Sequence, residues 1–285
     1  MIRVRKTVGI FVWILVLFSL LGEVIVHASQ EQVYLDGQWQ YADHSKINSG
    51  YAVLYRAEGD SKKGYVVGVN AGHGIQGGTD VYTLCHPDGS AKVTGGTTAE
   101  GAVSAYAVSY GMTMADGTAE AEVVLAVAKA LKDKLLAAGF DVLMLRDGSD
   151  VQLDNVARTV MCNQLADCHL SIHFDGDNLE YDKGCFYCSV PDPLKEMYPV
   201  SDVWKSSELL GETLVKKLGE GGFSIYGAGH VDLDLTQTSY STIPSVDIEL
   251  GNQYSTISDD KIEAYAEALF QGIMDYVISD VTVIK

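Results

Sequence analysis

Apolar residues recur along this chain in two rhythms that take turns. Short apolar or alternating runs of strand type give way to longer stretches with helical spacing, and the exchange repeats to the end. Val66 to Asn70 reads as a buried strand, and it empties into Gly72-His73-Gly74. Glu120 to Ala138 reads as a helix whose inward stripe is Val123, Val124, Val127, Leu131, Leu135 and Ala138, with Gly139 as its stop. Phe140 to Arg146 is the next strand, Asp150 to Asp167 a loop plus helix, and Cys168 to His173 a further strand. Gly184 to Val190 is a strand, Asp202 to Leu218 a helix, Gly219 to Thr242 an irregular passage, Pro244 to Gln253 the last strand, and Ser258 to Ser279 the last helix. Such alternation predicts an α/β fold, a mostly parallel twisted sheet with helices on both faces, whose ligands gather at the carboxyl ends of the strands.

Three departures from the pattern carry the chemistry. Glu120 lies within about 60° of all six apolar residues of its helix, at about 100° per residue, so it points inward, whereas Glu122 points to solvent. Helix-dipole stabilisation does not require that direction, and an inward carboxylate needs a cation or donors around it. Asp247 and Glu249 share one face of the last strand, opposite Val246, Ile248 and Leu250, where two acids are costly unless they line a site. His73, between Gly72 and Gly74, and His173, shortly before Gly176, each read as a strand-end histidine, so both fall at the rim where Glu120 and Glu249 also lie. Two histidines, one inward carboxylate and one further carboxylate are the parts of a hydrolytic zinc site, with three ligands, an open position for water and a separate base.

Composition narrows the setting. At 285 residues and 47% hydrophobic content, the chain supports one catalytic domain with additions. Arg3, Arg5 and Lys6, the 14-residue apolar run Val8 to Leu21, and Val26-His27-Ala28 predict a signal peptide over residues 1–28, with an N-terminal anchor as runner-up. Its removal takes away three basic residues and one acidic, moving the net charge from −18 to −20. That balance argues against nucleic acid and against adhesion to anionic lipid, leaving the N-terminal segment as the only expected membrane contact. Residues 29–64 read as a leader arm with one strand and a turn, 65–285 as the catalytic domain, and 77–118 as a long polar loop inside it, of the length expected of a functional loop or lid. His86 in His86-Pro-Asp-Gly reads as a turn residue, and Asp175 and Asp177 as a turn in preference to calcium ligands. Five cysteines make an odd count, and Cys185 and Cys188 sit three apart in a strand, facing opposite sides, so neither a disulfide scaffold nor a C-x-x-C zinc knuckle is expected.

From residue 65 to about 275 the chain resembles the zinc-dependent N-acetylmuramoyl-L-alanine amidases of peptidoglycan. The resemblance rests on Val69-Asn-Ala-Gly-His73-Gly, on Glu120 in Glu-Ala-Glu-Val-Val-Leu, on Phe140 to Asp147, on Val151-Gln-Leu-Asp-Asn-Val-Ala-Arg158 with Asn163, on Ser171-Ile-His173, and on Pro244-Ser-Val-Asp-Ile-Glu249-Leu-Gly. It implies zinc held by His73, Glu120 and His173, with Glu249 as the catalytic acid/base; Asp247, on the same strand face, is the alternative base. It further implies an exported, wall-associated enzyme that cuts the amide between N-acetylmuramic acid and L-alanine. Two other readings share these residues: a zinc peptidase acting on the stem peptide, and a catalytically silent wall-binding protein. Departures stand at Asn70, where the family usually has an acid, and at Phe174 and Asp175, where it usually has a small residue and Asn. The 46 residues between His73 and Glu120 exceed the family core, and are expected to restrict the groove to a particular peptide stem or to cover it until a partner binds; no regulator is identified in the sequence.

Overall fold

One eight-stranded sheet organises the chain, and its strand order explains why residues far apart in sequence meet at one edge. The computed structural model describes residues 28–177 and 179–283. In chain order the elements are β1 (Ala28–Val33), β2 (Ala52–Ala57), β3 (Val66–Ala71), β4 (Tyr82–Leu84), β5 (Ser104–Tyr106), α1 (Glu120–Ala137), β6 (Asp141–Met144), α2 (Asn155–Leu165), β7 (Cys168–Asp175), β8 (Cys185–Ser189), α3 (Val200–Glu220), β9 (Ile225–Asp232), α4 (Thr236–Tyr240), β10 (Ser245–Asn252) and α5 (Asp259–Val283). The large sheet runs β1-β2-β6-β3-β7-β10-β8-β9, and β4 pairs with β5 in a separate two-stranded ribbon.

The four central strands β6, β3, β7 and β10 are parallel. β8 joins β10 antiparallel and β9 joins β8 parallel, while β1 and β2 extend the other edge antiparallel. Strands with both faces covered are expected to be continuously apolar, and Val67, Val69, Ala71, Leu170, Ile172, Val246 and Ile248 are all buried. One face carries α1, α3 and α5, where Leu131, Leu135, Leu210, Leu214, Ile273 and Tyr276 share a single apolar cluster. The other carries α2 and α4, with Ala157 and Met161 packed on Leu143 and Leu145. Each fully buried leucine contributes about 1.5–3 kcal/mol of transfer free energy, so these two layers fix the register of the strands between them.

Three passages differ from the pattern reading. The arm 29–64 contributes two strands, and Asp154, the N-cap of α2, binds it: the Asp154 carboxylate accepts from the Ala157 N–H at 2.8 Å, from the Lys46 and Ile47 N–H groups at 2.6 and 2.8 Å, and from the Ser45 hydroxyl at 3.1 Å. Residues 77–118 contain the β4–β5 hairpin. The irregular passage 219–242 holds β9 and α4; Gly227 and Gly229, both at positive φ, break the alternation by which β9 would be read as a strand. The expected signal peptide, residues 1–28, lies outside the described residues except for residue 28, which opens β1. Among the described residues, no helix is long and apolar enough to cross a membrane.

Candidate metal centre

β3 ends at Ala71, and the chain turns through Gly72 into His73. His73 adopts φ 62°, a left-handed conformation that a non-glycine residue holds only when its surroundings impose it. Those surroundings are two buried guanidinium groups. Arg146 donates to the carbonyls of Ala71, Gly72, Ala121 and Gly148 at 2.7–3.0 Å, and Arg158 donates to the His73 carbonyl at 2.7 Å. Gly72 is required for a different reason: a Cβ there would stand 2.2 Å from the His173 ring.

The structure brings His73, Glu120 and His173 together. His73 Nε2 lies 2.9 Å from Glu120 Oε1 and 3.0 Å from His173 Nδ1, and His173 Nδ1 lies 3.3 Å from Glu120 Oε1. A tetrahedral zinc ion about 2.0–2.1 Å from each nitrogen and oxygen ligand would separate them by about 3.3 Å, so this triangle of donors fits such an ion with little adjustment. Its donor set, two imidazoles and a carboxylate, is that of hydrolytic zinc sites. The supporting bonds agree. His73 Nδ1 faces the Ser109 carbonyl at 2.9 Å, an obligate acceptor, so Nδ1 carries the proton and Nε2 presents its lone pair to the cluster.

Glu120 is 2% exposed, as its place on the inward stripe of α1 predicts. Burial pushes its carboxyl up, but the His173 and His73 rings, when they carry protons toward it, outweigh that and hold the group well below the usual carboxylate range. Two backbone amides complete its shell: Phe174 N–H donates to Oε1 and Met112 N–H to Oε2, each at 3.0 Å. Ser109 and Met112 close the long passage 77–118, so the end of that passage is part of the centre's support. Gly111, between them, stands at φ +81° against both side chains, and a Cβ there would come within 2.7 Å of the His73 ring and 2.9 Å of Glu120 Oε2.

Asp247 and Glu249 project from β10 into the same cleft of ≈ 620 Å³ that exposes the three donors. Both carry a buried oxygen without a hydrogen-bond partner, Asp247 Oδ1 and Glu249 Oε2. Burial above all, then the neighbouring carboxylates of Asp247, Glu120 and Asp175, pushes Glu249 well above the usual range. A carboxyl that holds its proton more tightly than usual and lines a cleft is the kind of group that serves as a general acid/base. Cys188 lies beside the pair, its donor atom and theirs all within 4.8 Å of one another, a looser set than the histidine cluster. The Cys185 thiol turns elsewhere, to the Leu250 carbonyl at 3.2 Å; all five cysteines are buried and none forms a disulfide.

The other histidines and acids have settings of their own. His169 is completely buried, and neither ring nitrogen has a partner; burial, then Arg158, pushes it down to about 3. Asp175 and Asp177 both pair with Lys183. His86 opens the turn read from the sequence, its carbonyl accepting from the Gly89 N–H at 3.1 Å, but its ring is fully buried and meets the Ser239 hydroxyl at 2.8 Å and Asp234 at 3.2 Å. Sequence reasoning did not single out Ser109 and Met112, and it marked Phe174 only as a departure from the family pattern, because the amides of Met112 and Phe174 and the carbonyl of Ser109 leave no side-chain pattern.

The fold and the centre can be set beside known proteins. Residues 67–275 match the family model described as N-acetylmuramoyl-L-alanine amidase. No curated relative matches the chain. Among solved structures, the apo form of the N-acetylmuramyl-L-alanine amidase Ami1 from Mycobacterium abscessus is 20% identical, with 75% of this chain and 99% of that one aligned at a TM-score of 0.62. Ami1 from Mycobacterium smegmatis is 19% identical over 76% and 98% at a TM-score of 0.61, and an N-acetylmuramoyl-L-alanine amidase from Clostridium difficile 630 is 18% identical over 75% and 97% at 0.54. At these identities the structures speak for the fold, a single α/β domain around a large mixed sheet, and the family model speaks for descent. That model begins in β3, ahead of His73, and ends in α5, so it spans all four residues of the centre, and the chain belongs to the N-acetylmuramoyl-L-alanine amidase family of hydrolases.

Proposed function

We propose that this enzyme hydrolyses the amide bond between the lactyl group of N-acetylmuramic acid and L-alanine in peptidoglycan, with zinc held by His73, Glu120 and His173 and with Glu249 as acid/base. The observation that carries this reading is the convergence of three donor atoms within 3.3 Å of one another on a cleft that also holds a buried, partnerless carboxyl oxygen of Glu249. Zinc, when bound there, supplies Lewis acidity toward the scissile carbonyl and acidifies a water toward a pKa of about 7. His73 and His173 offer neutral nitrogen lone pairs and Glu120 a carboxylate, so the ligand set carries one negative charge and leaves the ion net positive. Glu249 accepts the proton released as water adds to the carbonyl carbon, then delivers it to the nitrogen as the C–N bond breaks and L-alanine leaves as a free amine. The peptide-bearing substrate enters along the cleft, whose other wall is the end of the 77–118 passage. The basic and apolar residues within 1–28 support export, so the enzyme works outside the membrane on wall material.

Glu249→Gln tests the assignment. Incubated with purified peptidoglycan and zinc, wild type releases new amino groups, and the variant releases them about 10²–10⁴-fold more slowly while retaining its metal. Equal rates, or loss of zinc from the variant, contradict the role given to Glu249.

A further inference from the structure

Only one of the two acids on the cleft side of β10 is needed to move protons. Asp247 is the other. It is 6% exposed, its Oδ1 has no hydrogen-bond partner, and it stands opposite Ser171 in the parallel β10–β7 ladder, which puts both side chains on one face of the sheet. A buried carboxylate in this state asks for a donor.

The direction of the neighbouring hydrogen bonds names that donor. Arg158 is fully buried and can only donate, and its Nη1 lies 3.1 Å from the Asn70 side chain. Asn70 must therefore turn its carbonyl oxygen to the guanidinium and its amino group to Ser171, whose Oγ accepts at 3.2 Å. The same Oγ lies 3.0 Å from His173 Nε2. Because Nδ1 is the His173 atom in the donor triangle, an ion bound there requires the ring proton on Nε2. Nε2–H then donates to Ser171 Oγ, which now accepts twice, and the hydroxyl's own proton has to go to a third group. Asp247 shares the sheet face of Ser171 and brings its Oδ2 to 3.5 Å from the same Nε2, so it is the carboxylate at hand for that proton.

We propose that Asp247 is a positioning residue. Through Ser171 and Asn70 it holds His173 as the Nε2–H tautomer, so that Nδ1 faces the metal position with its lone pair. Without an acceptor at 247, the Ser171 hydroxyl is free to donate to Nε2, which shifts the ring proton to Nδ1 and blocks coordination there. This inference rests on the zinc reading above, and it concerns one ligand of that site.

Chelator competition measures zinc affinity in wild type and in Asp247→Ala, and a long-range nitrogen–proton correlation spectrum of the zinc-loaded wild type reports which nitrogen of His173 carries the proton. Asp247→Ala is expected to bind zinc about 10–100-fold more weakly, the usual effect of losing an outer partner of a ligand histidine. Thermal stability of the zinc-free variant should be equal to or above wild type, since a buried carboxylate has been removed; a purely structural role would lower it. The spectrum should show Nε2 protonated. Unchanged zinc affinity in a folded Asp247→Ala, or a wild-type spectrum with Nδ1 protonated, overturns the relay while leaving the zinc site standing. A wild type that binds no zinc overturns both. Because the spectrum needs no variant, failure of Asp247→Ala to fold still leaves a decisive measurement.

Discussion

Glu120 was legible before the fold was known, because a carboxylate on an apolar helical stripe contradicts the pattern around it, and the reason for its direction is the two imidazoles it meets. His73 was legible as a glycine-flanked residue at the end of a strand, and His173 as a histidine near a strand's carboxyl end, although β7 runs on to Asp175. Their supports were not. Met112 acts through an amide and Ser109 through its carbonyl, with its hydroxyl also 3.1 Å from His73 Nδ1, and nothing in the side-chain sequence marks a backbone group as a partner. Gly111 shows how little room that arrangement leaves. Gly111→Ala would add a methyl 2.7 Å from the His73 ring at a φ of +81°, so the two ligands must separate or the segment must shift. The expected result is a stability loss of about 1–2 kcal/mol from the left-handed backbone and a zinc affinity reduced by about 10–100-fold. Thermal unfolding and chelator competition read the two effects separately; unchanged zinc affinity would show that this segment does not set the ligand geometry.

The 77–118 passage is fastened at its middle as well as at its end. Asp234, in the turn after β9, accepts from Lys92 Nζ at 2.9 Å, from the Val93 N–H at 2.7 Å and from the Thr94 hydroxyl, and it meets His86 at 3.2 Å. Burial pushes its carboxyl up, but the bonds from His86, Thr94, Lys92 and Val93 outweigh it and hold the group below the usual carboxylate range. A carboxyl that binds its proton less readily folded than unfolded contributes stability above its unfolded value, about 3.9, and that contribution is lost as pH falls from there through the folded value. Wild type should therefore lose thermal stability on acidification from pH 6 to 3 more steeply than Asp234→Asn. The variant should start about 3–5 kcal/mol lower at neutral pH, because Lys92 is left buried without its counter-charge. Parallel melting curves would exclude Asp234 as the clasp. This tie escaped sequence reading because its members are about 140 residues apart and β9, which aims Asp234, is interrupted by glycine.

Across the whole molecule, the alternation of strand and helix sufficed to place His73, Glu120, His173 and Glu249 on one rim, since a parallel sheet gathers its carboxyl ends at one edge. What the pattern could not place was the arm before it. β2 covers β6 through Val53, Leu54 and Tyr55, and Asp154 ties residues 45–47 to the start of α2, contacts that depend on which edge of the sheet the arm chooses. A chain beginning at residue 65 would expose the β6 edge and the apolar cluster around Leu143 and Leu145. It should associate on size-exclusion chromatography and lose its cooperative thermal transition; a monomer melting with the full chain would make the arm dispensable.

The family, the donor triangle and Glu249 converge on one chemical outcome, and end-group analysis reads it directly. Peptidoglycan digested by the zinc-loaded enzyme is labelled at its free amino groups, and the newly exposed residue is identified. The account predicts L-alanine, appearing with wild type and suppressed by Glu249→Gln. Any other new amino terminus, from cleavage within the stem peptide, or no new terminus from an enzyme that carries its zinc, would contradict it.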